Sequence, residues 1–131
     1  MSAGASLVDE LVALERAALD RWGQGDPDGY LEINAADMSY FDPFVDARLD
    51  GLRALTDWYE QVRGKIKIDH SQILNPRVQQ IGDAAVLTFQ FESYGSEGVV
   101  RWNCTEVYQH FSDAWRIVHS HWALAKAPAP Q

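Results

Sequence analysis

The sequence predicts an α+β domain in which three helices come first and four long antiparallel strands follow. Apolar residues recur at helical spacing as far as Gly64, and from Lys65 onward the repeat switches to two. The third observation is size. At 131 residues with 47% hydrophobic content, the chain suffices for one packed domain and is short for two.

Leu7, Leu11, Leu14, Ala18 and Trp22 set the face of a first helix, with Ser6 and Asp9 as a capping pair and Gly23 and Gly25 closing it. Asp26-Pro27 then supplies an N-cap followed by proline at the first helical position, opening a short helix with Tyr30 and Leu31. Residues 38–42 form a short strand, which Pro43 ends because it cannot donate to a ladder. Asp50 is placed to cap a third helix with Leu52, Leu55, Tyr59 and Val62 on its apolar face, stopped at Gly64.

The sheet begins with Ile66, Ile68, His70, Gln72 and Leu74 on one face and Lys65, Lys67, Asp69 and Ser71 on the other. In the next strand Ala85, Leu87, Phe89 and Phe91 alternate with Thr88, Gln90 and Glu92. Two more strands run over about 99–111 and 115–124, with turns at Gly82-Asp83, Gly95 to Gly98 and Ser112-Asp113. The domain spans 1–131, with 1–5 and 126–131 expected as flexible tails.

Net charge is −8, from 11 Lys and Arg against 19 Asp and Glu, so no basic stripe is available to neutralise phosphates. Nucleic acid and anionic membrane are therefore not expected as partners. A single cysteine, Cys104, excludes an internal disulfide and a cysteine-based zinc cluster. It reads as a small buried hydrophobe. No signal segment or membrane-spanning run is evident, which makes a cytoplasmic location the default expectation.

Asp42 is the leading functional candidate. Held where a strand stops at proline, its carboxylate can face a cavity as a general base, or close an Asx-type turn on its own backbone. His119 and His121 share one strand face with Trp115 and Ile117. That face reads better as an oligomer interface, with Thr105 and Val107 alongside, than as a metal site. No metal or cofactor is expected.

The run Phe41-Asp42-Pro43, Gly51-Leu52, His70-Ser-Gln-Ile-Leu-Asn-Pro76, Gly82-Asp83 and Trp115-Arg-Ile-Val-His-Ser-His121 resembles the nuclear transport factor 2-like superfamily. Within it, SnoaL-like and ketosteroid isomerase-like members are included, and the nearest likeness is to the association (hub) domain of calcium/calmodulin-dependent protein kinase. The resemblance covers residues 7–128 and implies a cone: N-terminal helices packed on a curved, mostly antiparallel sheet. Asp42 matches the general base of the isomerases. The oxyanion-holding tyrosine of helix 1 falls at about Ala18 and the assisting carboxylic acid at about Cys104, so steroid isomerisation is not implied. Where the hub carries inward arginines, this chain has Phe91, Glu106 and Trp122.

With Phe91 taken as inward, the pleat places Tyr40, Asp42, His70, Gln72, Phe89, Trp102, Cys104, Glu106, Ser120 and Trp122 inside the cone. Such a lining suits a neutral or cationic, partly apolar organic molecule. Asp42 with His70 would form an acid/base pair for isomerase, cyclase or dehydratase chemistry, with Gln72 orienting the substrate. Two alternatives stay open: a filled core in which His70 and Glu106 satisfy each other, and a non-catalytic association domain. Its partner would be a second copy, as a homodimer or within a higher oligomer.

Overall fold

The computed structural model describes residues 6–126. The expected tails lie outside the described residues, apart from Lys126. Three helices, α1 (Leu7–Trp22), α2 (Asp28–Ile33) and α3 (Leu52–Glu60), alternate with and then precede six strands. These are β1 (Asn34–Phe41), β2 (Leu49–Asp50), β3 (His70–Ile81), β4 (Ala84–Gly95), β5 (Gly98–His110) and β6 (Trp115–Leu124). They form one sheet in the order β2-β1-β6-β5-β4-β3, in which β1 and β6 run parallel and every other pair is antiparallel. Among the described residues no helix is long and apolar enough to cross a membrane.

Local chemistry forms the helices much as the sequence reading expects. Ser6 Oγ accepts from the Asp9 N–H at α1, and the Asp26 carboxylate accepts from the Asp28 N–H before α2. One cap differs. Gly51, at φ +92°, precedes α3 without a side-chain bond, while Asp50 pairs with Arg48 on β2. Gly25 has φ +86° and lies directly against Gly64, whose N–H donates to the Gly25 carbonyl at 2.8 Å. A Cβ on Gly25 would sit 3.0 Å from Gly64 Cα, so a side chain there would push apart the ends of α1 and α3.

The helices cover one face of the sheet. Leu11, Leu19 and Leu55 pack there on Met38, Leu87, Phe89, Tyr108 and Ile117. Two departures from the simple alternation read in the sequence decide where the candidate residues point. Residues 65–69 are not strand: the Ile68 N–H donates to the Gly23 carbonyl, and the Asp69 N–H to that of Tyr94. Ile66 and Ile68 still face inward, but the ladder starts only at His70, where Ser71 and Ile73 become the inward residues.

The second change lies in β6. Val107 pairs with His119, and Tyr108 with Ile117, so Val118 is an extra residue that turns Ile117 to the inner face. Ile117 is fully buried, and Trp115 packs against the core with its ring 5.0 Å from that of His110. Neither shares the outer face with His119, as the sequence reading had placed them. Thr105, Val107, His119 and His121 do lie on it, with Phe41 against both histidine rings.

Candidate functional site

A cavity of about 490 Å³ opens between the helices and the inner face of the sheet. Its walls are largely aromatic. Trp22 of α1, Tyr30 of α2, Trp58 and Tyr59 of α3, and Phe91, Trp102 and Trp122 of the sheet all line it. Edge-to-face contacts hold these rings in place: Trp22 meets Tyr59 at 4.8 Å, and Trp122 meets Phe91 at 5.9 Å and Trp102 at 6.1 Å. The rim consists of Phe44, the 65–68 segment and the β4–β5 turn.

Asp42 is the anchored carboxylate of the wall. It follows the last residue of β1, and the strand ends there as Pro43 requires. Its Oδ2 accepts from Tyr40 Oη at 2.8 Å and from Trp58 Nε1 at 3.0 Å. Its Oδ1 accepts from the Phe44 N–H at 2.7 Å. The two readings of Asp42 are thus not exclusive: it closes the Asx-type turn and also faces the cavity. Burial, the neighbouring Tyr59 and the Asp42 charge hold the Tyr40 hydroxyl well above its ordinary range, so Tyr40 serves as a donor.

Of the residues expected inside, Tyr40, Asp42, Phe91, Trp102 and Trp122 line the cavity. Phe89, Cys104, Glu106 and Ser120 face inward but are buried in the core behind it. Phe89 packs edge-on against Trp122, and Ser120 Oγ donates to Glu106 Oε2 at 2.7 Å. The Cys104 thiol is pushed well up by burial and by the nearby Glu15 charge, which makes it an inert core group.

His70 and Gln72 are corrections. Both are exposed and outside the cavity, because β3 takes up the opposite phase once its ladder begins. His70 stacks on Tyr94 at 4.2 Å, and Gln72 borders a shallow groove between α1 and β3. The Asp42–His70 acid/base pair and the His70–Glu106 core pair are therefore both excluded by geometry.

The sequence reading missed Trp58 and Glu15. Trp58 belongs to the same helical stripe as Leu55, Tyr59 and Val62, and that spacing is its signal. Glu15 lies one turn from Leu11 and one from Ala18, an acid inside the apolar stripe of α1. It is fully buried and accepts hydrogen bonds from Tyr30 Oη at 2.7 Å and from Tyr108 Oη. Burial pushes its carboxyl up to about 7, against the opposing pull of the two tyrosine bonds. Tyr30 thus joins the cavity floor to this buried acid.

Helices on one face of a six-stranded mixed sheet, with an aromatic cavity between them, define a nuclear transport factor 2-like protein. The model of the calcium/calmodulin dependent protein kinase II association domain matches residues 8–126, and the chain belongs to that family. A candidate ketosteroid isomerase from Parabacteroides distasonis ATCC 8503 is similar, at 35% identity and a TM-score of 0.84, over 92% of this chain and 89% of that one. The hub of calcium/calmodulin dependent protein kinase II from S. rosetta shares the fold at 20% identity and a TM-score of 0.72, over 95% of this chain and all of that one. So does a nuclear transport factor 2-like superfamily protein from Salmonella enterica serovar Typhimurium LT2, at 18% identity and a TM-score of 0.71, over 94% of each chain. A search of curated proteins found no match.

Proposed function

We propose that this protein binds a small, partly apolar organic molecule in the aromatic cavity, with Asp42 as the group that contacts its polar end and exchanges a proton with it. The supporting observation is the anchoring of Asp42. Three donors orient its carboxylate on the wall of a cavity large enough for a small ligand. Oδ1 accepts one of those bonds and retains capacity for a substrate donor. With His70 outside, Asp42 works with Tyr40 rather than with an imidazole relay.

Calorimetry with 2-naphthylmethanol tests the binding step. Saturable binding is expected, weakened about tenfold by Trp122→Ala, since stacking on a large ring is worth roughly 1 kcal/mol or more. An absence of heat up to millimolar concentrations, for this alcohol and for its amine and carboxylate analogues alike, would remove this reading.

Family membership favours a second role, self-association. The surface suited to it is the outer sheet face bearing Thr105, Val107, His119 and His121 beside Phe41, where a second copy would pair isologously. Sedimentation should show a species of twice the 14.8 kDa chain mass, and His121→Asp should shift it toward monomer. A sharp monomer boundary at every micromolar loading argues against assembly.

A further inference from the structure

Asp42 has three hydrogen-bond donors and no countercharge. Its partners, the Tyr40 hydroxyl, the Trp58 indole and the Phe44 amide, are all neutral, and among the described residues it joins no salt bridge. Other acids of the chain, such as Asp26, Asp50 and Glu60, are each paired with an arginine. The two lysines on the cavity wall, Lys65 and Lys67, are exposed at the rim, where solvent screens them and Glu97 stands in the same lining. A half-buried carboxylate facing aromatic walls is a setting in which an organic cation gains twice, from the charge and from the ring faces.

We infer that the ligand of this cavity is a protonated amine carried on an apolar, ring-containing body. Its N–H donates to the open side of Asp42 Oδ1, and the body lies among Trp22, Tyr59, Trp102 and Trp122. The net charge of −8 favours the approach of such a cation and opposes an anion of the same shape. The inference rests on the cavity being a binding site, and it adds the sign of the ligand's charge.

Three probes of one shape separate the two claims: 2-naphthylmethylamine, which is a cation at pH 7, the neutral 2-naphthylmethanol and the anionic 2-naphthoate. Calorimetry on the full chain should show the amine binding at least tenfold tighter than the alcohol, with naphthoate weakest. Asp42→Asn should bring the amine-to-alcohol ratio toward one. In the unaltered protein, raising NaCl from 0.05 to 0.5 M should weaken the amine several-fold and leave the alcohol unchanged, a readout independent of how the variant folds. Equal affinities for amine and alcohol, or a preference for naphthoate, would overturn the inference while leaving the cavity a binding site. Binding of none of the three would end both.

Discussion

Asp42 and Glu15 are both held by tyrosine hydroxyls, at opposite depths of the same fold. Asp42 sits half-buried at the open end, bonded by Tyr40, Trp58 and a backbone amide. Glu15 sits in the closed core, bonded by Tyr30 and Tyr108 and cut off from water altogether. Similar donors surround both, so the surroundings rather than the bonds decide what each acid does. At Glu15 desolvation outweighs two favourable hydrogen bonds and lifts the carboxyl to about 7. A group of that kind stores a proton in the folded state. Asp42 is instead accessible to a partner from outside.

The largest expected effect comes from the buried end. The folded-state value of Glu15 lies above its unfolded value of 4.5, so the folded protein holds the extra proton between 4.5 and about 7. Its contribution to stability is complete below 4.5 and is lost as pH rises through 7. Across that window the loss should reach about 3 kcal/mol, at 1.36 kcal/mol per unit. Urea unfolding of the natural protein and of Glu15→Gln, at matched pH values from 4.5 to 8, measures it. A constant difference between the two would show Glu15 to be ordinary.

The next effect compares the donors. Tyr30→Phe leaves a fully buried Glu15 oxygen without its partner and should cost about 2 kcal/mol. Trp58→Phe removes one of three donors from the half-exposed Asp42 and should cost about 1 kcal/mol. If Trp58→Phe proves the more damaging, the open end is tied more tightly into the fold than its exposure suggests.

The smallest effect has the opposite sign to that of Glu15. Partial burial, then the neighbouring His121, lower His119 below its ordinary 6.5, while Ser39 Oγ lies 2.8 Å from its Nδ1. The unfolded chain therefore binds a proton first. His119 supports stability above pH 6.5, and that support falls away as pH drops through its folded value. His119→Asn should flatten this acid-side decline while leaving the slope between 6.5 and 8 intact. NMR titration of the imidazole checks the direction, and a value at or above 6.5 would contradict it.

The sequence by itself determined the order of the three helices and of every strand except the two-residue β2, because spacing, caps and turn residues act over a few positions. Asp42 was legible for the same reason: proline ends the strand beside it, and the polar side chain closes its own turn. So were Tyr40, Phe91, Trp102 and Trp122, whose strands keep the phase that Phe91 sets. Tertiary structure decided the rest. Residues 65–69 bond to Gly23 and Tyr94 instead of entering the ladder, and His70 and Gln72 turn outward in consequence. One extra residue at Val118 turns Ile117 from the outer face into the core. An alternation of period two carries no record of where the ladder starts or slips, and a single residue reverses every side chain beyond it. Glu15 was visible as an acid in an apolar stripe, but its proton affinity came only from Tyr30 and Tyr108, brought to it across 15 and 93 residues of chain by the packing of α1 against α2 and the sheet.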